Sequence, residues 1–460
     1  MARESVAGLV AQLYGAKISR REFGKRAAAA GLSAALVGQV LSVHGAKAQD
    51  EMPESTQIGV PDIGHTTDTS KGTIKLYSSW PYSGAMERIG GHAIAASEMC
   101  LEDFGFAAGG FEIEYEALDD GIAANEGRWD PGKETENANT AINDEDAMVY
   151  LGTYNSGAAA ISIPIMNVAG MAMISFANTY PGLTKAVENA TEEGEPELYY
   201  PTGTRNYMRV CPADDVQGGA GARWAVQTNG NTRAYVLHDN SLYGQGVANI
   251  FATVFEEEGG TVLGIEGYDF RAGDYQSLMT SIAASGDDGA GPDILYVGAT
   301  VDNNAAKVLQ DMRGVMSAED VTFLGPDGLN TQTFVQGAAG AAEGAFITFG
   351  GYSADKLIEL GGPGADYTTR VRERLGMGED EQPDAYAVYA YESMVVVLQA
   401  IEKVGEKYRA AILDAMFNTE GFVSLLGGTW DFTDEGDRDN PLLGLLEVVD
   451  EVITFRDTIA

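Results

Sequence analysis

The chain has 460 residues, 45% apolar and 21% charged, which suits a soluble globular protein with room for two core-forming domains. The formal charge is −39; residues 1–48 hold seven Lys/Arg and two Asp/Glu, so the remainder carries 22 basic and 66 acidic residues, net −44. A surface that acidic repels nucleic acid and anionic lipid and excludes both as partners; its self-repulsion is screened in a salty medium.

The first elements read as an export signal outside the fold. Ser19-Arg20-Arg21-Glu22-Phe23-Gly24-Lys25 fits the twin-arginine pattern, an alanine-rich run covers 27–43, and Ala46-Lys47-Ala48 offers an A-x-A cleavage site. The alternative is an amphipathic helix with two incidental arginines. No cysteine follows the cleavage site, so no lipid anchor is expected there. No later run reaches ~18 uninterrupted apolar residues, so no membrane span is expected. Residues 49–71 lack periodicity and read as a flexible leader.

From residue 73 the chain alternates strand and helix. Strands are expected at 73–79, 111–117, 148–151, 171–175 and 207–211, with helices at 86–104, 134–142 and 158–168. Residues 119–133 read as a long loop and 186–203 as an acidic, turn-rich excursion. The alternation restarts with strands at 232–238, 262–268, 293–297, 321–324 and 345–349. Helices at 214–228, 246–258, 275–284 and 302–313 separate them. Helices at 367–375, 385–404 and 407–417 and short strands at 429–432 and 445–449 close the chain. Two such runs imply an α/β fold of two lobes. In the βαβ unit at 147–184 both strands end at one carboxyl edge, where open α/β sheets bind ligands.

Catalytic patterns are missing from the sequence: there is no G-x-S-x-G elbow, P-loop or G-x-G-x-x-G. His65, His92 and His238 form no metal-spaced cluster, so neither an enzyme nor a cofactor or metal is expected. Asp431 to Asn440 resembles a calcium loop but places Thr433 and Leu442 where ligands are needed, and reads instead as a turn. Cys100 and Cys211 lack metal spacing, and a disulfide between them stays open.

What remains is a recognition set. Ser156 and Gly157 open a helix, as a plain N-cap or as donors for a carboxylate. Thr179 and the Ala177 carbonyl sit on the next loop of the same edge, and Asp327 follows a later strand on a Gly/Pro turn. Donors on one side and a carboxylate on the other would suit a zwitterion. Trp80, Tyr154, Tyr180 and Tyr243 are aromatic loop residues, either pocket walls or packing.

Leu151-Gly152…Ser156-Gly157-Ala158, Met173 to Thr179, Pro181 to Thr184, Asp214-Asp215-Val216-Gln217-Gly218, Val236 to Asp239 with Tyr243 to Gly246, Phe323 to Gly328 and Ala385-Tyr386-Ala387…Tyr391 occur in one order. From about Gly72 onward the chain resembles the leucine/isoleucine/valine-binding family of ABC transporter substrate-binding proteins. The resemblance implies two Rossmann-like lobes with parallel-rich sheets, joined by three crossovers near Pro212, Gly350 and Gly427, which close as a hinge. It implies lobe 1 at 72–212 plus 351–427 and lobe 2 at 213–350 plus 428–460. It also implies a monomeric amino-acid binder that serves an ABC permease from the periplasm. By it, Ser156 and Thr179 hold the ligand carboxylate, Ala177 and Asp327 take the ammonium, and Tyr243 walls the second lobe, with Trp80 and Tyr386 beside the cleft. Departures from the family fall at Tyr154 and Asn155, at Asn178 and Thr300, and at Trp129, which stands where a disulfide cysteine would lie. Insertions fall at about 121–128 and 186–203. They point away from a purely aliphatic pocket, toward a more polar amino acid or another solute such as an aromatic acid or amide.

Overall fold

The structure, a computed structural model, describes residues 66–378 and 381–460. The expected export signal, cleavage site and leader, up to His65, lie outside the described residues. Two large sheets carry the fold. The first is ordered β2 (Ala107–Ala108), β3 (Phe111–Leu118), β1 (Thr73–Ser79), β4 (Ala147–Gly152), β5 (Ala172–Ser175), β6 (Tyr207–Arg209). All its pairings are parallel except β2 with β3.

In the second sheet the order is β15 (Val452–Ile459), β14 (Leu443–Val449), β11 (Phe346–Phe349), β10 (Thr322–Gly325), β9 (Ile294–Gly298), β7 (Arg233–His238), β8 (Thr261–Gly267). Its β7–β11 core is parallel, and β14 and β15 add antiparallel strands at one edge.

The strands at the centre of each sheet are mostly apolar, as parallel strands packed on both faces are. Every residue of β4, β5 and β9 is buried. In the first sheet Tyr77 and Tyr150 pack with Ala138, Ala159 and Ile163 of helices Pro131–Asn143 and Ser156–Val168. Ile74, Leu76, Val149 and Leu151 face the other way, into the cluster shared with helices Glu87–Asp103 and Ala387–Val404. β3 lies near an edge and alternates, its three glutamates outward.

Boundaries shift where caps decide them. Helix Pro131–Asn143 begins before the expected residue 134, because Asp130 caps it by accepting from the Gly132 and Lys133 N–H groups and Pro131 suits the first turn. Helix Leu242–Glu257 begins four residues before the expected start, with Ser241 accepting from the Gly244 N–H. Gly246 serves close packing: a Cβ there would lie 2.6 Å from the Tyr180 ring of the first lobe. Helices Gln332–Ala338 and Ala354–Leu360 and the strand β15 were not expected from the sequence.

The chain passes from the first sheet to the second through Pro212, after β6, and leaves β11 through Gly350, whose carbonyl accepts from the Tyr389 hydroxyl. Gly427 lies in the turn of a small hairpin, β12 (Phe422–Val423) with β13 (Thr429–Trp430). The segment 431–442 then leads into β14, and there Asp437 bridges to Arg209 of β6 with Nε to Oδ1 at 2.7 Å. Lys185 joins the same carboxylate at 3.0 Å. Residues 431–440 are thus a turn anchored by an ion pair. Cys100 and Cys211 are both buried and free, so the open disulfide is not formed.

Candidate ligand-binding site

A cavity of about 400 Å³ lies between the carboxyl edges of the two sheets. The loops after β3, β4 and β5 line it from one side with Arg128, Trp129, Tyr154, Asn155, Ser156 and Ala177. The loops after β7, β8, β9 and β10 line it from the other with Asp239, Tyr243, Phe270, Thr300, Asp302 and Gly328. Tyr386, just before the long helix Ala387–Val404, closes the back. Ligands bind at the carboxyl edges of open α/β sheets, and here two such edges face each other.

On the first side the cavity meets the start of helix Ser156–Val168. The first N–H groups of a helix have no intrahelical acceptor, and the dipole favours negative charge there. Asn155 is the N-cap residue but makes no side-chain cap, so the end stays available. The Ser156 hydroxyl accepts from the Tyr180 N–H at 3.4 Å. Gly157 is bare because Trp129 covers it: a Cβ would stand 2.8 Å from Trp129 Cζ2.

The opposite pole is acidic. Asp327 is buried, and its Oδ1 accepts from the Tyr243 hydroxyl at 2.6 Å and Gln217 Nε2 at 2.8 Å, its Oδ2 from the Tyr386 hydroxyl at 2.6 Å. Burial raises its pKa against these three hydrogen bonds, which favour the charged form. Burial also pushes the Tyr243 and Tyr386 hydroxyls up, so both remain donors. An ionised carboxylate offers about four lone-pair sites, which leaves roughly one free.

Ser156, Ala177, Tyr154, Asn155, Tyr243, Thr300 and Tyr386 all line the cavity, and Asp327 stands directly behind Tyr243 and Tyr386. Three expected site residues lie deeper. Trp80 is core, its indole donating to the Gly90 carbonyl and its ring 4.8 Å from Phe176, which in turn packs on Tyr154 and Tyr386. Asn178 is fully buried as a brace: its Nδ2 donates to the Tyr154 carbonyl, and its Oδ1 accepts from the Thr153 N–H and the Tyr207 hydroxyl. It shapes the crevice loop without facing the cavity. Thr179 is likewise enclosed; its carbonyl accepts from the Asp214 N–H at 2.8 Å.

Sequence reasoning gave no role to Arg128, Phe270 or Asp302. Arg128 Nε and Nη2 donate across the cleft to the Asp302 carbonyl at 2.9 and 2.7 Å, and its guanidinium lies 5.5 Å from the Phe270 ring centre. The 121–128 loop therefore links the two sides of the cavity. The 186–203 insertion buttresses the other flank: Glu195 accepts from the Tyr180 hydroxyl at 2.6 Å and from Tyr199. Asp239 is internally satisfied by Ser241, Thr300 N–H and Asn303. A His/Cys/Asp/Glu group able to hold a metal does not occur among the described residues, and no helix among them is long and apolar enough to cross a membrane.

Residues 73–448 match the periplasmic binding protein family, and the chain belongs to it. It is 24% identical to an amino acid binding protein of Pseudomonas aeruginosa over 71% of this chain and 77% of the relative. It is 23% identical to a leucine-, isoleucine-, valine-, threonine- and alanine-binding protein of the same organism, over 75% and 82%. Among solved structures it shares the fold of a leucine-binding protein from Thermotoga maritima, with TM-score 0.70 and 22% identity over 84% of this chain and 98% of the other. It also shares the fold of a benzoate-bound solute-binding protein from R. palustris, with TM-score 0.68 and 21% identity over 84% and 96%.

Proposed function

We propose that this periplasmic binding protein captures a free amino acid between its lobes and delivers it to an ABC permease, without catalysing a reaction. One observation carries the reading. The cavity runs from a helix N-terminus suited to a carboxylate to the Tyr243 and Tyr386 rings, whose hydroxyls hold the buried carboxylate of Asp327 directly behind them among neutral partners. A buried charge needs a counter-charge, and a ligand ammonium supplies it. The volume lies in the usual range for small-molecule sites. Asn155, Thr300, Asp302 and Asn303 give the middle of the cavity a polar wall, which favours a polar side chain over a purely aliphatic one. The amino-acid binders among its relatives support the same reading. Export by the twin-arginine route, on the Ser19–Lys25 pattern, and hinge closure of the lobes complete the proposal.

The alternative is an aromatic acid or amide. The rings of Trp129, Tyr154, Phe270 and Tyr386 around the cavity favour it, and a neighbour of this fold holds benzoate. Asp327 opposes it, because an acid without an amine would leave that carboxylate unpaired beside it. A thermal-shift panel of twenty amino acids, benzoate, 4-hydroxybenzoate and simple amides decides. A ligand at 100 times its Kd stabilises by about 2.7 kcal/mol. Stabilisation by benzoates and by no amino acid would sink the amino-acid reading.

A further inference from the structure

Beneath the loop that carries Arg128 and Trp129 lie two carboxyls with no part in the site described above. The loop is a short hairpin. The Asp130 N–H donates to the Asp120 carbonyl at 2.9 Å, Gly121 bridges Trp129, and the Ile122 N–H donates to the Arg128 carbonyl at 3.2 Å. Asp120 therefore stands at its base, and the cavity-lining Arg128 and Trp129 on its return arm. Glu134 follows in the first turn of helix Pro131–Asn143, its N–H donating to the Asp130 carbonyl at 2.9 Å. Both side chains are completely buried, at 0% exposure. Their surroundings differ. Glu134 accepts from the hydroxyls of Ser79 at 2.5 Å, Tyr150 at 2.8 Å and Ser162. No other residue donates a hydrogen bond to either oxygen of Asp120.

We propose that Asp120 is a proton-held latch for this hairpin: its neutral acid form packs beside the Glu134 carboxylate, and its ionisation drives the hairpin base outward, taking Arg128 and Trp129 with it. The division of charge follows from the hydrogen bonds. Three hydroxyl donors favour the ionised form of Glu134, whereas an ionised Asp120 is a buried charge with neither donor nor counter-ion. An ionised carboxylate has about four lone-pair sites, so the hydroxyls leave roughly one on Glu134, and a protonated Asp120 has an O–H to offer. The charged groups that face Asp120 all oppose its ionisation: Glu134 from the helix, Asp119 beside it and Asp130 across the hairpin. The other packed elements present neutral groups. These are Ser79 of β1, Tyr150 of β4, Ser162 of helix Ser156–Val168, and Asn137, whose amide donates to Ser79 Oγ and the Asp119 carbonyl. Lys133 lies at the surface with Glu136, 3.0 Å away. Burial and then the Glu134 charge raise Asp120 well above the usual carboxylate range; burial raises Glu134 as well, against its three hydroxyls. Loss of the proton sets two like charges in one dry site. Glu134 is fixed within a helix, so Asp120, at the base of an irregular loop, is the one that leaves.

Tryptophan emission and thermal melts of the unliganded protein, from about pH 5 to about pH 9, test this. The folded protein keeps on Asp120 a proton that the unfolded chain loses near 3.8, so stability falls as pH rises from there through the folded value. Relative to Asp120→Asn, which cannot ionise, wild type is expected to lose up to about tenfold in folding constant per pH unit over that range. Its emission is expected to change as the latch opens, and that change is expected to be absent from both Asp120→Asn and Trp129→Phe. Parallel melting and emission curves for wild type and Asp120→Asn overturn the proposal, and so does an emission change that survives in Trp129→Phe. If Asp120→Asn does not fold, Glu134→Gln decides. With the neighbouring charge gone, the transition is expected about one pH unit lower or more, and an unmoved transition overturns the latch. Choline in place of sodium separates a proton from a bound cation: emission that follows sodium instead of pH overturns the latch too. None of these readouts uses a ligand, so each outcome leaves the amino-acid reading standing.

Discussion

Replacing Arg128 with methionine removes the tie across the cavity mouth while keeping most of the stem. Two N–H groups of the guanidinium reach the Asp302 carbonyl at 2.9 and 2.7 Å, and the same face covers Phe270. The side chain is 18% exposed, so water competes only in part. Hydrogen bonds from a charged donor contribute roughly 1.5–3 kcal/mol each when buried. Discounting for the shared acceptor and partial exposure, about 2 kcal/mol is a fair total for the cross-cleft tie. That energy belongs to the closed arrangement alone. A ligand held by both lobes has an apparent affinity scaled by the closed fraction, so about 2 kcal/mol becomes roughly a 30-fold weaker Kd when the closed form is the minor one. The loss is expected mainly in the dissociation rate. Trp129 lines the same cavity, so stopped-flow tryptophan fluorescence reads the rate and titration reads the affinity. Arg128→Lys is expected to fall between, because an ammonium cannot present two parallel donors. Dissociation within about twofold of wild type in Arg128→Met would refute the assignment of closure energy to this residue.

Asp327→Asn preserves shape and removes the charge. Amino-acid affinity is expected to drop by about 10- to 100-fold in titration calorimetry, while unliganded stability holds or rises because a buried, like-charged carboxylate has gone. Gly157→Ala puts a methyl group 2.8 Å from Trp129 Cζ2, so the indole is expected to shift and its emission to change along with a weaker Kd; an unaltered spectrum would contradict the packing described. The crossover ion pair sets an acid limit. Burial pushes Asp437 up, but the Arg209 and Lys185 charges outweigh it and hold its pKa below the usual value. A depressed folded pKa contributes stability above the unfolded value near 3.8 and loses it as pH falls through the folded one. Thermal melts below about pH 4 are therefore expected to show a steeper loss in wild type than in Asp437→Asn, which starts lower at pH 7.

Much of the site was legible because its signals are periodic or bound to strand ends. β4 and β5 are short apolar runs closed by small-residue loops, and a parallel βαβ unit places both loops at one edge. Ser156 and Ala177 come together for that reason, and the loops after β7 and β10 bring Tyr243 and Asp327 from the facing sheet edge. Depth was harder to read than position along the chain. Trp80, Asn178 and Thr179 sit on the right loops, yet the chain turns them inward, and only the neighbours Gly90, Tyr207 and Asp214 determine that. Arg128, Phe270 and Asp302 left no pattern, since each comes from a different irregular loop and they meet only across the cleft. One local trace existed: Gly157 beside a helix start implies something large overhead, and Trp129 is that group.

Arg209 gives the crossover a second consequence. Its guanidinium binds Asp437 in the turn segment that leads back to the second sheet and, at the same time, the carbonyls on either side of Thr179 at 3.1 and 2.8 Å. On the proposed function, the backbone at the amine end of the pocket is therefore tied directly to the crossover. In the proposed hinge closure, a change of twist at the crossover shifts that loop, and a change in the loop alters how the lobes swing. The amine end is thereby locked against drift by two separate demands. New ligand preferences have more room to arise at Asn155 and Thr300, which line the cavity away from that link.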